Sequence, residues 1–143
     1  MEKLKNYKVD NVYYSEYFDK ETNRTYTGKA ICHEEDKDFE SDKIGYTIST
    51  NRVIEKYYKG LKKKIIQENH TLMTLLNTYK STPDYDETNR FIKILKKKIY
   101  NNNEDIKLLK EAINDINNST KRYIKDKDNY HAQLRKLRLT KNN

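Results

Sequence analysis

The hydrophobic pattern changes period once along the chain. Residues 9–32 read as extended, because Val12, Tyr13, Tyr14, Tyr17 and Phe18 form a β-branched and aromatic run. Residues 19–24 are a polar turn that contains Asn23. In residues 25–32 the positions alternate: Tyr26, Gly28, Ala30 and Cys32 share one face, and Thr25, Thr27, Lys29 and Ile31 the other. This predicts two antiparallel strands joined by a short loop. A lone two-stranded hairpin is marginal in water, so it must pack on another element or pair with another chain.

From Ile44 the repeat is seven. With Ile44 at position a, the a positions are Ile44, Asn51, Tyr58, Ile65, Leu72 and Tyr79, and the d positions are Thr47, Ile54, Leu61, Glu68 and Leu75. Eight of these eleven are apolar, which predicts one helix from about residue 38 to 80, with Asp36 or Asp38 as its N-cap. Gly60 weakens that helix by roughly 1 kcal/mol relative to Ala without shifting its phase. Residues 81–84, Ser-Thr-Pro-Asp, form the clearest break: Thr82 suits a cap, Pro83 the first helical position and Asp84 the first turn.

A second seam begins at Ile92. Its a positions are Ile92, Ile99, Ile106, Ile113, Thr120, Lys127 and Leu134, and its d positions Leu95, Asn102, Leu109, Ile116, Tyr123, Tyr130 and Leu137. Eleven of the fourteen are apolar. Asn101, Asn102 and Asn103 resemble a break, with Asn103 as a cap before Glu104. Ile99 and Ile106 nevertheless keep phase across it, and a loop has no reason to preserve phase. One long helix with a polar layer at Asn102 is expected, a three-helix arrangement being the alternative. Placing the two helices antiparallel makes facing residue numbers total about 165. Lys62, Lys63 and Lys64 then face residues 102–105, and Glu68 faces Lys96, Lys97 and Lys98.

The expected fold is α+β, mostly α: an N-terminal antiparallel β-hairpin and then a long, coiled-coil-like antiparallel helical hairpin. Residues 1–37 hold the hairpin and an acidic connector, and residues 38–143 the two helices with a basic tail, as one structural domain overall. The second seam has more apolar length than the first can cover. Tyr123 to Leu137 should therefore lie on the strands or on another subunit, and a homo-oligomer is expected.

Composition narrows the class. The 143 residues carry 30 Lys and Arg against 22 Asp and Glu, a formal charge of +8. No run of about 20 apolar residues exists, so no membrane association is expected, and no secretory leader is legible at the start. The single cysteine, Cys32, excludes an internal disulfide, so a reducing compartment, the cytoplasm, is expected. Lys outnumbers Arg 24 to 6, and Asn occurs 16 times. An AT-rich genome favours such codons, so part of the basic charge records base composition.

The segment Gly28-x-Ala30-x-Cys32-His33-x-x-Asp36-x-x-Phe39, followed by Gly45 and Ile48, resembles a pattern near the N-terminus of many small uncharacterised proteins of Firmicutes phages and prophages. In those a hairpin, a Cys-His-Pro-Glu-Asp-like connector and a helix with an early Gly follow in order. Glu34 stands here where the pattern has Pro. The resemblance covers residues 25–55, roughly a fifth of the chain. It implies a phage or prophage origin and transfers no catalytic residue. Physically, Gly28 and Ala30 leave room for a helix, Phe39 covers the hairpin, and Gly45 lets the helix approach the strand.

Candidate chemistry is sparse. Cys32 and His33 with Glu35, Asp36, His70 or His131 lack the paired ligand spacing of a zinc site. Cys32 reads as a small buried hydrophobe rather than a nucleophile. The acidic residues 34–42 suit a helix start better than a Mg²⁺ site. No catalytic residue, cofactor or metal is expected, and the chain is read as a non-enzyme.

Residues 119–143 are basic. Eight cations, among them Lys121, Arg122, Lys125, Arg135, Lys136 and Arg138, outweigh Asp126 and Asp128. These are the candidate contacts for nucleic acid or a partner, with Tyr123 and Tyr130 interleaved for stacking. The bland alternative is that they neutralise the acidic connector. The expected helical seam is Tyr58, Leu61, Ile65, Leu72, Ile92, Leu95, Ile99, Ile106, Leu109, Ile113 and Ile116. The functional expectation is a non-enzymatic binding protein that engages a host protein or ribonucleoprotein, such as a CRISPR-type defence nuclease complex. The alternatives are DNA or RNA binding by the basic helix and a nucleotide-binding sponge at a subunit interface.

Overall fold

The computed structural model describes residues 4–32, 41–83, 86 and 89–141, the side chains of 130, 131, 134 and 138–141 excepted. Five elements follow in order: β1 (Leu4–Val9), β2 (Val12–Asp19), β3 (Arg24–Ile31), α1 (Asp42–Lys80) and α2 (Arg90–Lys141). The fold class is as expected, α+β and mostly α. The chain groups into two compact units, Met1–Tyr57 with Asn114–Asn143, and Tyr58–Ile113.

In the first unit the strands form one antiparallel sheet of order β1-β2-β3. The expected hairpin is β2 and β3, and β1 adds a third strand. Its sequence, Leu-Lys-Asn-Tyr-Lys-Val, has too little apolar content to announce a strand. The ladder from Leu4–Tyr17 to Val9–Val12 holds it, with Tyr7 stacked on Tyr14 at 5.1 Å. Both reversals use a left-handed residue, Asp10 and Asn23, each at φ 54°. Asp and Asn tolerate that conformation better than other side-chain-bearing residues.

The alternation in β3 is realised: Gly28, Ala30 and Cys32 are buried, and Lys29 and Ile31 are exposed. Tyr13, Ala30, Cys32 and Ile48 form the core cluster, joined by Ile44, Tyr46 and Ile124. Ile48 and Val53, 3% and 0% exposed, each contribute roughly 1.5–3 kcal/mol by burial. Helix α1 meets the sheet at two glycines. A Cβ on Gly28 would lie under 3 Å from Ser49 O and from Val53 N, and one on Gly45 would enter the Tyr13 ring. Arg52 Nη1 and Lys56 Nζ, on the same helix face, donate to Lys29 O and Thr27 O at 2.6 Å each. They cover carbonyls along the outer edge of β3.

Helix boundaries differ from the expected ones. α1 starts at Asp42, and Ser41 is its cap: Ser41 Oγ accepts from Ile44 N–H at 3.4 Å. Asp36, Asp38 and Phe39 lie outside the described residues. Thr82 does not begin the second helix. Its hydroxyl donates to Tyr79 O at 2.7 Å and closes the first. Asn89 begins α2, its Oδ1 accepting from Phe91 N–H at 2.8 Å. A Thr-Pro pair fits either role by sequence; here the free carbonyls at the end of α1 take the hydroxyl. Asp84 also lies outside the described residues.

In the second unit, Tyr58–Lys80 of α1 and Arg90–Ile113 of α2 pair antiparallel. Leu76, Ile92 and Leu95 are the buried apolar residues, at 8%, 3% and 5% exposure. Seam residues Tyr58, Leu61, Ile65, Leu72, Ile99, Ile106, Leu109 and Ile113 are half-buried, as is Ile116 in the first unit. Past Ile65 the seam leaves the strict heptad: Asn69 and Leu76 are buried, while d-position Leu75 is exposed. A straight helix drifts ~20° per heptad against a 3.5-residue repeat, so the seam moves to the next position round. α2 drifts likewise, exposing Tyr123 and turning Ile124 inward.

α2 runs unbroken through Asn101–Asn103, and the polar layer is present. Asn102 Nδ2 donates to Glu68 Oε1 at 3.3 Å, and Asn69 Nδ2 to Asn103 Oδ1 at 2.8 Å. Glu68 meets Lys98 at 3.4 Å, as expected. The register is otherwise shifted. The pairs Asn51–Ser119, Glu68–Asn102 and Tyr79–Phe91 each total 170, not about 165. Lys62–Lys64 thus stand nearer the level of Ile106–Leu108 than of Glu104 and Asp105. The Tyr79–Phe91 ring contact and the amide layer set this register, and isolated surface charges are too weak to override them.

Gly28→Ala is expected to lower stability by about 2 kcal/mol in urea unfolding, because the obstructing atoms are backbone and cannot move aside. Asn69 Oδ1 is buried with no partner among the described residues. Asn69→Leu should therefore raise stability by about 1 kcal/mol in the same assay.

Candidate functional site

Each candidate patch is carried by elements whose opposite face is committed to a core. Along α2 in the first unit, Thr120, Ile124 and Lys127 recur at i, i+4 and i+7. Thr120 is 6% exposed, Ile124 packs on the Tyr13–Ala30–Cys32–Ile48 cluster, and Lys127 is half-buried. Asn51 Nδ2 donates to Ser119 Oγ at 3.3 Å on the same side. Lys121, Arg122 and Lys125 fall on the other side and are exposed, as are Arg135 and Lys136 farther along. Lys121, Arg122 and Lys125 thereby share one outward face of a packed helix, while Arg138 lies where side chains are not described.

Cys32 belongs to the core cluster of the first unit. Cys32 is 6% exposed, and with Tyr13, Ala30, Ile31, Ser41, Gly45, Ile48 and Lys127 it lines a partly open cavity of about 20 Å³. That holds about one water. His33, Glu34, Glu35 and the rest of the connector lie outside the described residues, as does the His131 side chain, while His70 is exposed. Among the described residues no three His, Cys, Asp or Glu side chains converge as a metal site, and no helix is long and apolar enough to cross a membrane.

A patch that the sequence did not announce lies in the second unit, where α1 ends and α2 begins. Tyr79 and Phe91 meet edge-on at 5.2 Å and are 40% and 42% exposed. Leu75, one turn before Tyr79, and Ile94, one turn after Phe91, are also exposed. Helical spacing places Leu75 beside Tyr79 and Ile94 beside Phe91. The heptad count assigns Leu75 and Tyr79 to the seam. The drift that buries Leu76 is the signal that could have moved them outward.

Among the described residues four ionisable groups are shifted, Tyr7 being raised chiefly by the hydrogen bond its hydroxyl donates to Glu16. The Tyr13 hydroxyl donates to Asp42 Oδ1 at 2.7 Å, and with Lys8 nearby at 3.5 Å it holds the Asp42 carboxyl below its usual range. The Asn102 amide, with Lys98, does the same for Glu68. Burial raises Tyr57 to about 12, with Tyr17 the next cause. Its ring sits edge-on to Tyr17 and Tyr26 at 4.9 and 5.6 Å. Each of these shifts arises from packing and hydrogen bonding within the fold.

No protein-family model matches the sequence, and no match is found among curated proteins or among solved structures.

Tyr57 keeps its proton more firmly folded than unfolded. The stability this contributes is full below pH 10 and is lost as pH rises toward about 12. Alkaline titration of stability, followed by circular dichroism, should therefore fall less steeply over that interval in Tyr57→Phe than in the native chain.

Proposed function

We propose that the chain is a non-enzymatic binding protein that engages a host protein through the apolar surface formed by Leu75, Tyr79, Phe91 and Ile94. One observation carries the reading: an aromatic pair with two aliphatic neighbours stands exposed in the second unit. Single exposed apolar residues are ordinary, but contiguous aromatic clusters are typical of protein contact sites. An apolar patch suits a protein surface and not a phosphate backbone. The resemblance of residues 25–55 to phage and prophage proteins supports a host target, with a CRISPR-type defence nuclease complex as the specific form.

A second reading rests on the outward basic face. Lys121, Arg122 and Lys125 stand together on exposed helix, suited to phosphates of DNA, RNA or the nucleic acid of a ribonucleoprotein. Such binding weakens steeply with salt, and each lost phosphate contact lowers the slope of log K against log salt by about 0.9.

Affinity capture from a Firmicutes lysate, run with and without nuclease and read by mass spectrometry, separates the two. The expected result is a protein partner that survives nuclease and is lost with Tyr79→Ala/Phe91→Ala, while circular dichroism shows the variant folded. Capture that vanishes with nuclease and with Lys121→Ala/Arg122→Ala/Lys125→Ala would transfer the function to the basic face. Recovery of no partner under any condition overturns both.

A further inference from the structure

The two edges of the sheet differ in a way that selects a partner. Cys32 N–H donates to Asn11 O at 2.8 Å, which sets the phase of the β2–β3 ladder: odd-numbered residues of β2 bond to β3. Even-numbered residues of β2 therefore serve β1, whose Lys5, Tyr7 and Val9 face Glu16, Tyr14 and Val12. Leu4, Asn6 and Lys8 turn their N–H and C=O groups toward the outer side of the sheet. On β3 the same phase turns Thr27 and Lys29 outward, and there Lys56 and Arg52 occupy the carbonyls. Among the described residues no strand pairs with the outer side of β1, which is exposed along all but its first residue.

We propose that β1 is the seam of a homodimer, pairing antiparallel with β1 of a second copy about a two-fold axis at Asn6. Two three-stranded sheets then join as one of six strands. This register puts Asn6 opposite its counterpart and Leu4 opposite Lys8 of the other copy. The outward backbone groups of both strands meet.

Charge permits the approach despite the net +8 of each chain. Lys5 faces Glu16 across the ladder, and Lys8 lies 3.5 Å from Asp42, so each cation of the strand has an acidic neighbour. In the same register Lys5 falls opposite Tyr7 and Lys8 opposite Leu4, so no two lysines oppose each other. The β3 edge, covered by Arg52 and Lys56, resists β1-to-β3 stacking. Association therefore closes at two copies and does not run on as a fibre. This proposal does not depend on the binding role above.

Sedimentation of the native chain over a wide concentration range tests the stoichiometry, and two substitutions test the seam. Asn6→Asp keeps an oxygen for the Ser15 hydroxyl, which donates to Asn6 at 2.6 Å, but sets two carboxylates face to face. Lys8→Pro removes an outward N–H and spares the β1–β2 ladder. Each should weaken dimerisation by about tenfold or more, while Tyr79→Ala should leave it unchanged. In the native chain, exchange of the Asn6 amide should slow by about tenfold or more from dilute to concentrated protein. A monomer throughout, a dimer indifferent to both substitutions, or an Asn6 amide whose exchange ignores concentration overturns the proposal.

Discussion

The close seating of α1 on β3 is the contact from which the rest of the first unit follows. At Gly28 a strand without a side chain lets the helix backbone at Ser49 and Val53 come within a distance that a single Cβ would forbid. The Gly45–Tyr13 contact repeats the device one turn earlier on the helix. With the helix that low, Ser15 and Ser49, both fully buried, bond to each other at 2.7 Å. Arg52 and Lys56 reach the edge of β3 from the same turns.

In the second unit, position is set by polar groups more than by apolar ones. Leucine and isoleucine seams tolerate sliding by a heptad, because one apolar contact replaces another. A buried amide does not, because a wrong register leaves it without a partner. Asn69 with Asn103, and Asn102 with Glu68, therefore act as the register marks of this pair of helices. The unpaired Asn69 oxygen is consistent with specificity bought at some cost in stability.

Much of this was legible in the residues themselves. The alternation of Tyr26, Gly28, Ala30 and Cys32 named the buried face of β3. The phase kept from Ile99 to Ile106 carried a helix through three consecutive asparagines. Burial of Cys32 and the close approaches at Gly28 and Gly45 were readable from residue size. Other features were not. β1 has almost no apolar signature, because its stability comes from a ladder to β2, which local periodicity does not record. The role of Thr82 turned on which helix end offered an acceptor. The apolar patch was hidden because heptad counting assigned Leu75 and Tyr79 inward.

What the chain determines alone is therefore the kind of each long element and the face it buries, since both depend on side-chain size and polarity repeating over many residues. The tertiary structure alone decided the third strand, the helix caps, the register of the helix pair and the exposure of Leu75, Tyr79, Phe91 and Ile94. Those depend on single contacts between residues far apart in the chain, Asn102 with Glu68 or Arg52 with Lys29 among them. No local pattern carries the geometry of such a contact.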